Sequence, residues 1–172
     1  MIRDYLLVDG YNIIFADDEL AELASDSLDF SRRKLCDMLV EYAGLTDGRI
    51  IAVFDAHHVE KGTGSVEEYH NIMIVFTREA ETADRYIERT AQRLARRDSV
   101  TVATSDRLEQ LIIIGQGACR ISARELLQSI ERAKKALRER YARTRPLKRN
   151  PIEQLLDPDT AKKLDEMRYN RK

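Results

Sequence analysis

The chain opens on a short apolar run, Tyr5-Leu6-Leu7-Val8, which ends at the turn-prone Asp9-Gly10-Tyr11-Asn12. An apolar run of that length closed by Gly and Asn reads as a buried strand entering a loop. From Asp29 to Ala43, Phe30, Leu35, Met38, Leu39 and Tyr42 recur at helical spacing. Asp26, Ser27 or Asp29 can cap that helix, and Gly44 with Thr46-Asp47-Gly48 closes it. Arg49 to Phe54 is rich in Ile and Val and predicts a second buried strand, ending at Asp55. Glu60 to Tyr69, with Gly62-Thr63-Gly64-Ser65 inside it, reads as a polar loop. Asn71 to Phe76 predicts a third strand.

Thr82 then opens a helix to about Arg97, with Ala83, Tyr86, Ile87, Thr90, Ala91 and Leu94 on one apolar face. Ser99 to Ala103 is a fourth strand, and Ser105-Asp106 caps a helix carrying Leu108, Leu111 and Ile112. Cys119 to Ile121 is a short fifth strand. Ser122 caps a long helix through Leu126, Leu127, Ile130, Ala133 and Leu137 to about Arg143. Strands alternating with helices imply an α/β fold, a mainly parallel sheet covered by helices on both faces. Residues 1–145 form one domain that includes the basic C-terminal helix. Residues 146–172 hold a linker marked by Pro146 and Pro151, then a tail in which Asp159 to Tyr169 is a short helix or orders on a partner.

A length of 172 residues suffices for a core without staples. No apolar run approaches the ~20 residues of a membrane span, and the first strand leaves no room for a signal peptide. Cys36 and Cys119 form no CxxC and no disulfide framework, so both are expected as buried thiols in a reducing cytoplasm. The net charge of −1 hides an asymmetry. Residues 1–84 carry 18 acids against 7 bases, and residues 85–149 carry 17 bases against 7 acids. That division suits a protein whose one part holds cations while another faces phosphates.

The acids fall where a parallel sheet presents its ligands. Asp9 ends the first strand, Asp55 the second, Asp106 follows the fourth, and Glu81 and Asp84 lie between the third strand and its helix. Clustered carboxylates raise one another's pKa unless a cation neutralises them. Oxygen donors without a Cys-His set suit Mg²⁺ or Mn²⁺, which orient water and stabilise charge on a phosphate under attack.

Five blocks carry a resemblance: Val8-Asp9-Gly10-Tyr11-Asn12; Val53-Phe54-Asp55-Ala56-His57; Phe76-Thr77 with Glu81-Thr82-Ala83-Asp84; Ala103-Thr104-Ser105-Asp106; and Gly115-Gln116-Gly117-Ala118 with Ser122-Ala123-Arg124-Glu125-Leu126-Leu127. In this order they resemble the NYN branch of the PIN-like nucleases, and within it the YacP-like family, over about residues 4–130. The resemblance implies a three-layer α/β/α fold and a metal-dependent endoribonuclease cutting single-stranded RNA. Asp9, Asp84 and Asp106 would be its core carboxylates, with Asn12 and Glu81 as supporting ligands or water-positioning groups. It further implies action on mRNA in the ribosomal A site. The doubled His57-His58 and the C-terminal tail depart from the family pattern, which bears on partner docking.

Each residue also has a plainer reading. Asp9 can cap a turn, Asp84 can complement a helix dipole, and Asp106 can be an N-cap. Asp55 reads as a support for the ligands, as a loop anchor or as a ligand itself. His57 and His58 point to opposite sides if extended and so do not share a zinc ion; one of them suits loop or RNA contact, His57 also reads as a support for the ligands, and His70 suits a structural role. Gly62 to Ser65 is no P-loop, since GxxxxGK[ST] is absent. Arg85 and Arg89 lie four apart beside the acids and suit phosphates. Arg124, Lys134, Lys135 and Arg138 belong to a basic helix that serves RNA backbone or is simply solvated. Tyr11 either stacks on a base or packs in its turn. Two rival functions remain: a non-catalytic RNA- or ribosome-binding module, and a phosphoryl-handling domain of the receiver or phosphatase type. The latter lacks the DxDx[TV] nucleophile motif.

Overall fold

The computed structural model describes residues 2–55, 63–105 and 117–144. Along the chain run β1 (Asp4–Asp9), α1 (Gly10–Ala16), α2 (Asp18–Asp26), α3 (Leu28–Ala43), β2 (Arg49–Phe54), β3 (Thr63–Tyr69) and β4 (Ile72–Arg78). These are followed by α4 (Ala83–Leu94), β5 (Ser99–Ala103), β6 (Cys119–Ile121) and α5 (Ala123–Thr144). Contacts divide the chain into residues 1–135 and 136–172. The first unit holds the sheet, and the described part of the second, residues 136–144, is helical.

The strands of the described residues form one sheet in the order β3-β4-β2-β1-β5-β6. Every pairing is parallel except β3 with β4. The chain steps outward from β1 to β2 and on to the edge strand β3, folds back into β4 between them, then crosses to the other side of β1 for β5 and β6. The order therefore reverses between β1 and β5, and in such sheets the carboxyl-end crevice at the reversal is where ligands bind.

Side chains alternate between two cores as the pleat requires. Val8, Ile50, Ala52, Phe54, Ile72, Ile74 and Ala103 face one core with Ile13, Ile14, Leu20, Leu35, Leu39, Leu126 and Ile130, from α1, α2, α3 and α5. Leu7, Val53, Val75, Val100 and Val102 face the other, against Ala83, Ile87 and Ala91 of α4. The fold is thus the expected three-layer α/β/α with a mainly parallel sheet.

Local sequence explains the helices and corrects four expectations. Ser27 is the N-cap of α3, its hydroxyl accepting from the Phe30 N–H at 3.3 Å. Phe30 itself does not join the apolar face and is 58% exposed. The stretch after Asp9 is a helix rather than a turn. Asp9 caps α1 by accepting the Asn12 N–H at 3.1 Å, and Asp17 caps α2 by accepting the Leu20 N–H at 2.9 Å. Of the stretch read as a polar loop from Glu60, Thr63–Tyr69 is strand β3. It pairs with β4 through a two-residue turn in which His70 holds φ at 54°, the sign that matches strand twist. Cys36 is buried as expected, whereas Cys119 is exposed. The helix expected after Asp106 and the tail from Pro146 onward lie outside the described residues.

Candidate active site

Asp9 is the last residue of β1, with Val53 of β2 as its register partner. Only 8% of its surface is exposed. A carboxylate in that position is costly unless it is bonded or neutralised, and the N-terminus of α1 supplies one bond. Asp55 follows β2 directly and is half-buried. Its Oδ2 accepts the backbone N–H of Ala83 at 3.4 Å, so it fastens the exit of β2 to the start of α4.

Thr82 caps α4 by accepting the Arg85 N–H at 3.3 Å, which sets Asp84 in the first turn, exposed. Glu81, half-buried just before that turn, forms an ion pair with Arg89 at 2.9 Å. Arg89 in turn lies over the ring of Tyr86, 5.5 Å from its centre. Asn12 uses its side-chain Oδ1 to accept the Ser105 N–H at 2.8 Å, joining α1 to the exit of β5. The Ser105 hydroxyl oxygen accepts the Ala123 N–H at 3.3 Å, joining that exit to α5. Asp9, Asp55, Asn12 and the start of α4 therefore lie along the carboxyl edge of the sheet, with Asp9 and Asn12 at its reversal. Asp106 and His57, the remaining candidates from this edge, lie outside the described residues.

Two groups escaped sequence reasoning. Thr104 follows Ala103, the register partner of Val8, and so stands level with Asp9; Thr77 follows Phe76, the partner of Phe54, and stands level with Asp55. Both are buried polar residues beside the acids. The signal was a threonine immediately after the last apolar residue of each strand. Arg32 was also passed over. It is ion-paired with Asp29, donates to the Tyr11 hydroxyl at 2.8 Å and lies 5.6 Å from the Phe76 ring centre. Tyr11 is consequently packed, its ring edge-on to Phe54 at 5.3 Å, and is not presented for stacking on a base. Burial raises the pKa of its hydroxyl against the opposing pull of Arg32.

Oxygen donors of this kind match a hard divalent ion. Among the described residues, no three His, Cys, Asp or Glu side chains stand together as a metal cluster. Asp9 and Asp84 are the described members of the expected set, and Asp106 is its third. Of the expected RNA contacts, Arg85, Arg124, Lys135 and Arg138 are exposed. Lys134 is 21% exposed and ion-paired with Glu41 at 3.0 Å and Glu131 at 3.9 Å, which ties α5 to α3. Among the described residues no helix is long and apolar enough to cross a membrane.

Comparison with known proteins accounts for the architecture. The family model described as the YacP-like NYN domain matches residues 6–169. The chain is 45% identical over 138 residues to the uncharacterized protein YacP of Bacillus subtilis (strain 168), covering 80% of this chain and 81% of the relative. It superposes on the crystal structure of Rae1 (YacP) from Bacillus subtilis with a TM-score of 0.70 at 39% identity, over 97% of this chain and 95% of that one. A mutant form of the same protein gives 0.71 at 36% identity, over 95% and 99%. With a PIN-like sheet, an acidic carboxyl edge and a match along nearly its whole length, the chain belongs to the YacP-like NYN family.

Proposed function

We propose that this chain is a metal-dependent endoribonuclease that cuts single-stranded RNA, with mRNA on the ribosome as substrate and the cytoplasm as its compartment. The observation that carries the reading is the nearly buried Asp9 carboxylate at the end of the central strand, where the sheet order reverses. Membership of a nuclease-like family and the oxygen-only donors around that edge support it.

Asp9, Asp84 and Asp106 would hold Mg²⁺ or Mn²⁺, and the bound ion would activate water and offset charge on the phosphate. The chain's own residues do the rest. Asn12 and Asp55 hold the exits of β5 and β2 to neighbouring helices, so that the acids keep their spacing. Glu81, partnered by Arg89 and three residues before Asp84, is a supporting carboxylate. Arg85, with Arg124, Lys135 and Arg138 of α5, offers cations to the phosphate backbone. In-line attack by water would leave a 5′ phosphate and a 3′ hydroxyl.

The test is cleavage of a labelled RNA by Asp9→Asn and Asp84→Asn, and by the parent chain in EDTA. Asparagine caps a helix as well as aspartate does, so Asp9→Asn keeps α1 while removing the charge. Cleavage should fall to background in all three cases, with retention of RNA on a filter largely unchanged. Full activity in both variants, or in EDTA, would refute the proposal. The exposed cations Arg85, Arg124, Lys135 and Arg138 would equally serve an RNA- or ribosome-binding module, the second reading. Filter retention without any cleavage in Mg²⁺ or Mn²⁺ would select it.

A further inference from the structure

A cleft of about 350 Å³ opens between the β3–β4 hairpin and the first half of α4. It is not part of the carboxylate edge but adjoins it, because Glu81 lines it and Asp84 lies on the same helix. One wall is apolar and aromatic, from Val66, Val75, Phe76 and Tyr86; the rest is polar, from Ser65, Thr77, Arg78, Arg89 and Glu81. Val66 is 58% exposed, an unusual state for a valine facing a helix layer.

The charges do not balance. Glu81 is satisfied by Arg89, and among the described residues Arg78 has no ion-pair partner. Arg78 is nonetheless seated. A Cβ placed on Gly64 would lie 2.5 Å from the Arg78 Cγ, and Gly64 holds φ at 72°, so the hairpin leaves space there that only glycine provides. A cation held beside an apolar, aromatic wall is the chemistry that takes a phosphate and a base together.

We infer that this cleft binds one nucleotide of the single-stranded RNA flanking the cut. Arg78 takes its phosphate, and the wall of Val66 and Tyr86 takes its base. The volume lies at the lower end of the ~300–1,000 Å³ typical of small-ligand sites, enough for one nucleotide and not for a duplex. The inference rests on the endoribonuclease reading and makes it more specific. Arg89, shared between Glu81 and Tyr86, borders both the cleft and the carboxylates and links occupancy of the one to the charge of the other.

The test uses the full chain carrying Asp9→Asn, in EDTA, so that binding is read without cleavage. A short labelled single-stranded oligoribonucleotide is titrated by fluorescence anisotropy over a range of salt concentrations. Arg78→Ala should weaken binding on the order of 5- to 10-fold and lower the salt slope by ~0.7, the share of one phosphate on a single strand. Arg78→Lys should restore the slope, and Gly64→Ala, which displaces Arg78, should weaken binding as Arg78→Ala does. An oligonucleotide carrying 4-thiouridine should crosslink to peptides containing Val66 or Tyr86. Unchanged affinity and slope in Arg78→Ala, while the parent chain binds and cleaves, would overturn this inference alone. A parent chain that neither binds nor cleaves RNA would overturn the endoribonuclease reading and the cleft with it.

Discussion

Gly10 follows Asp9 at the start of α1, and the reason is the ring of Phe54. A Cβ on Gly10 would lie 2.1 Å from the Phe54 Cε1, 2.5 Å from Cδ1 and 2.7 Å from Cζ. Carbon atoms normally rest ~3.5–4.0 Å apart. Phe54 cannot retreat, since it is fully buried, edge-on to Tyr11 at 5.3 Å and stacked on Phe76 at 5.7 Å. Gly10→Ala therefore forces the helix start, or a clamped aromatic ring, to move. Overpacking of this kind costs ~1–3 kcal/mol, and the helix propensity gained by alanine returns at most ~1 kcal/mol. A net loss of about 1–2 kcal/mol in a chain of this length lowers Tm by ~2–8 °C. Thermal unfolding followed by circular dichroism measures it. Shortening the ring relieves the clash, so Gly10→Ala should cost less in a Phe54→Leu background, which a double-mutant cycle reads as favourable coupling. A Gly10→Ala chain that melts at or above the parent temperature would refute the reasoning.

The two thiols should behave differently. Burial, with the neighbouring Asp37 adding to it, pushes the Cys36 pKa up from 9.0 to about 12, whereas Cys119 is exposed. Iodoacetamide near neutral pH should modify Cys119 alone until urea is added, which peptide mass spectrometry reads directly. Because the folded state holds the Cys36 proton more tightly, its contribution to stability is complete below pH 9 and is lost as pH rises towards 12. Urea midpoints across that window should fall less steeply for Cys36→Ala. At the start of α5, the Ser122 N–H and hydroxyl donate to Glu125 at 2.6 and 2.7 Å and lower the pKa of its carboxyl. That cap is present above pH 4.5 and lost as pH falls through the lowered value. Glu125→Gln should remove this part of the acid sensitivity of helical ellipticity.

Short apolar runs and wide apolar helix faces were legible in the sequence. Arg49–Phe54, Ser99–Ala103 and Cys119–Ile121 are strands over the expected residues. The predicted apolar face of α4 includes the buried Ala83, Ile87, Thr90 and Ala91. Two elements with too few buried apolar side chains to mark a period were not legible. Strand β3 sits at the sheet edge, and its Gly64, Ser65, Glu67 and Glu68 look like a loop until β4 supplies hydrogen-bond partners. Helix α2 buries only Leu20, too little to mark a period. At the candidate site, the succession of acids after strands identified Asp9 and Asp55 because a parallel sheet aligns its strand ends. What those side chains hold was hidden, since the bond from Asn12 to Ser105 spans 93 residues and no local pattern encodes it.

That bond bears on how any mutational survey of this protein will read. The Asn12 amide oxygen serves Ser105, and the Ser105 hydroxyl serves the first residue of the basic helix. Removing Asn12 would slacken two junctions at once, and the proposed cleavage would drop as though a reagent had been deleted. The loss would measure disturbed carpentry. On the endoribonuclease proposal, an inactive Asn12→Ala chain with the parent chain's metal affinity and a lowered melting point would carry that signature.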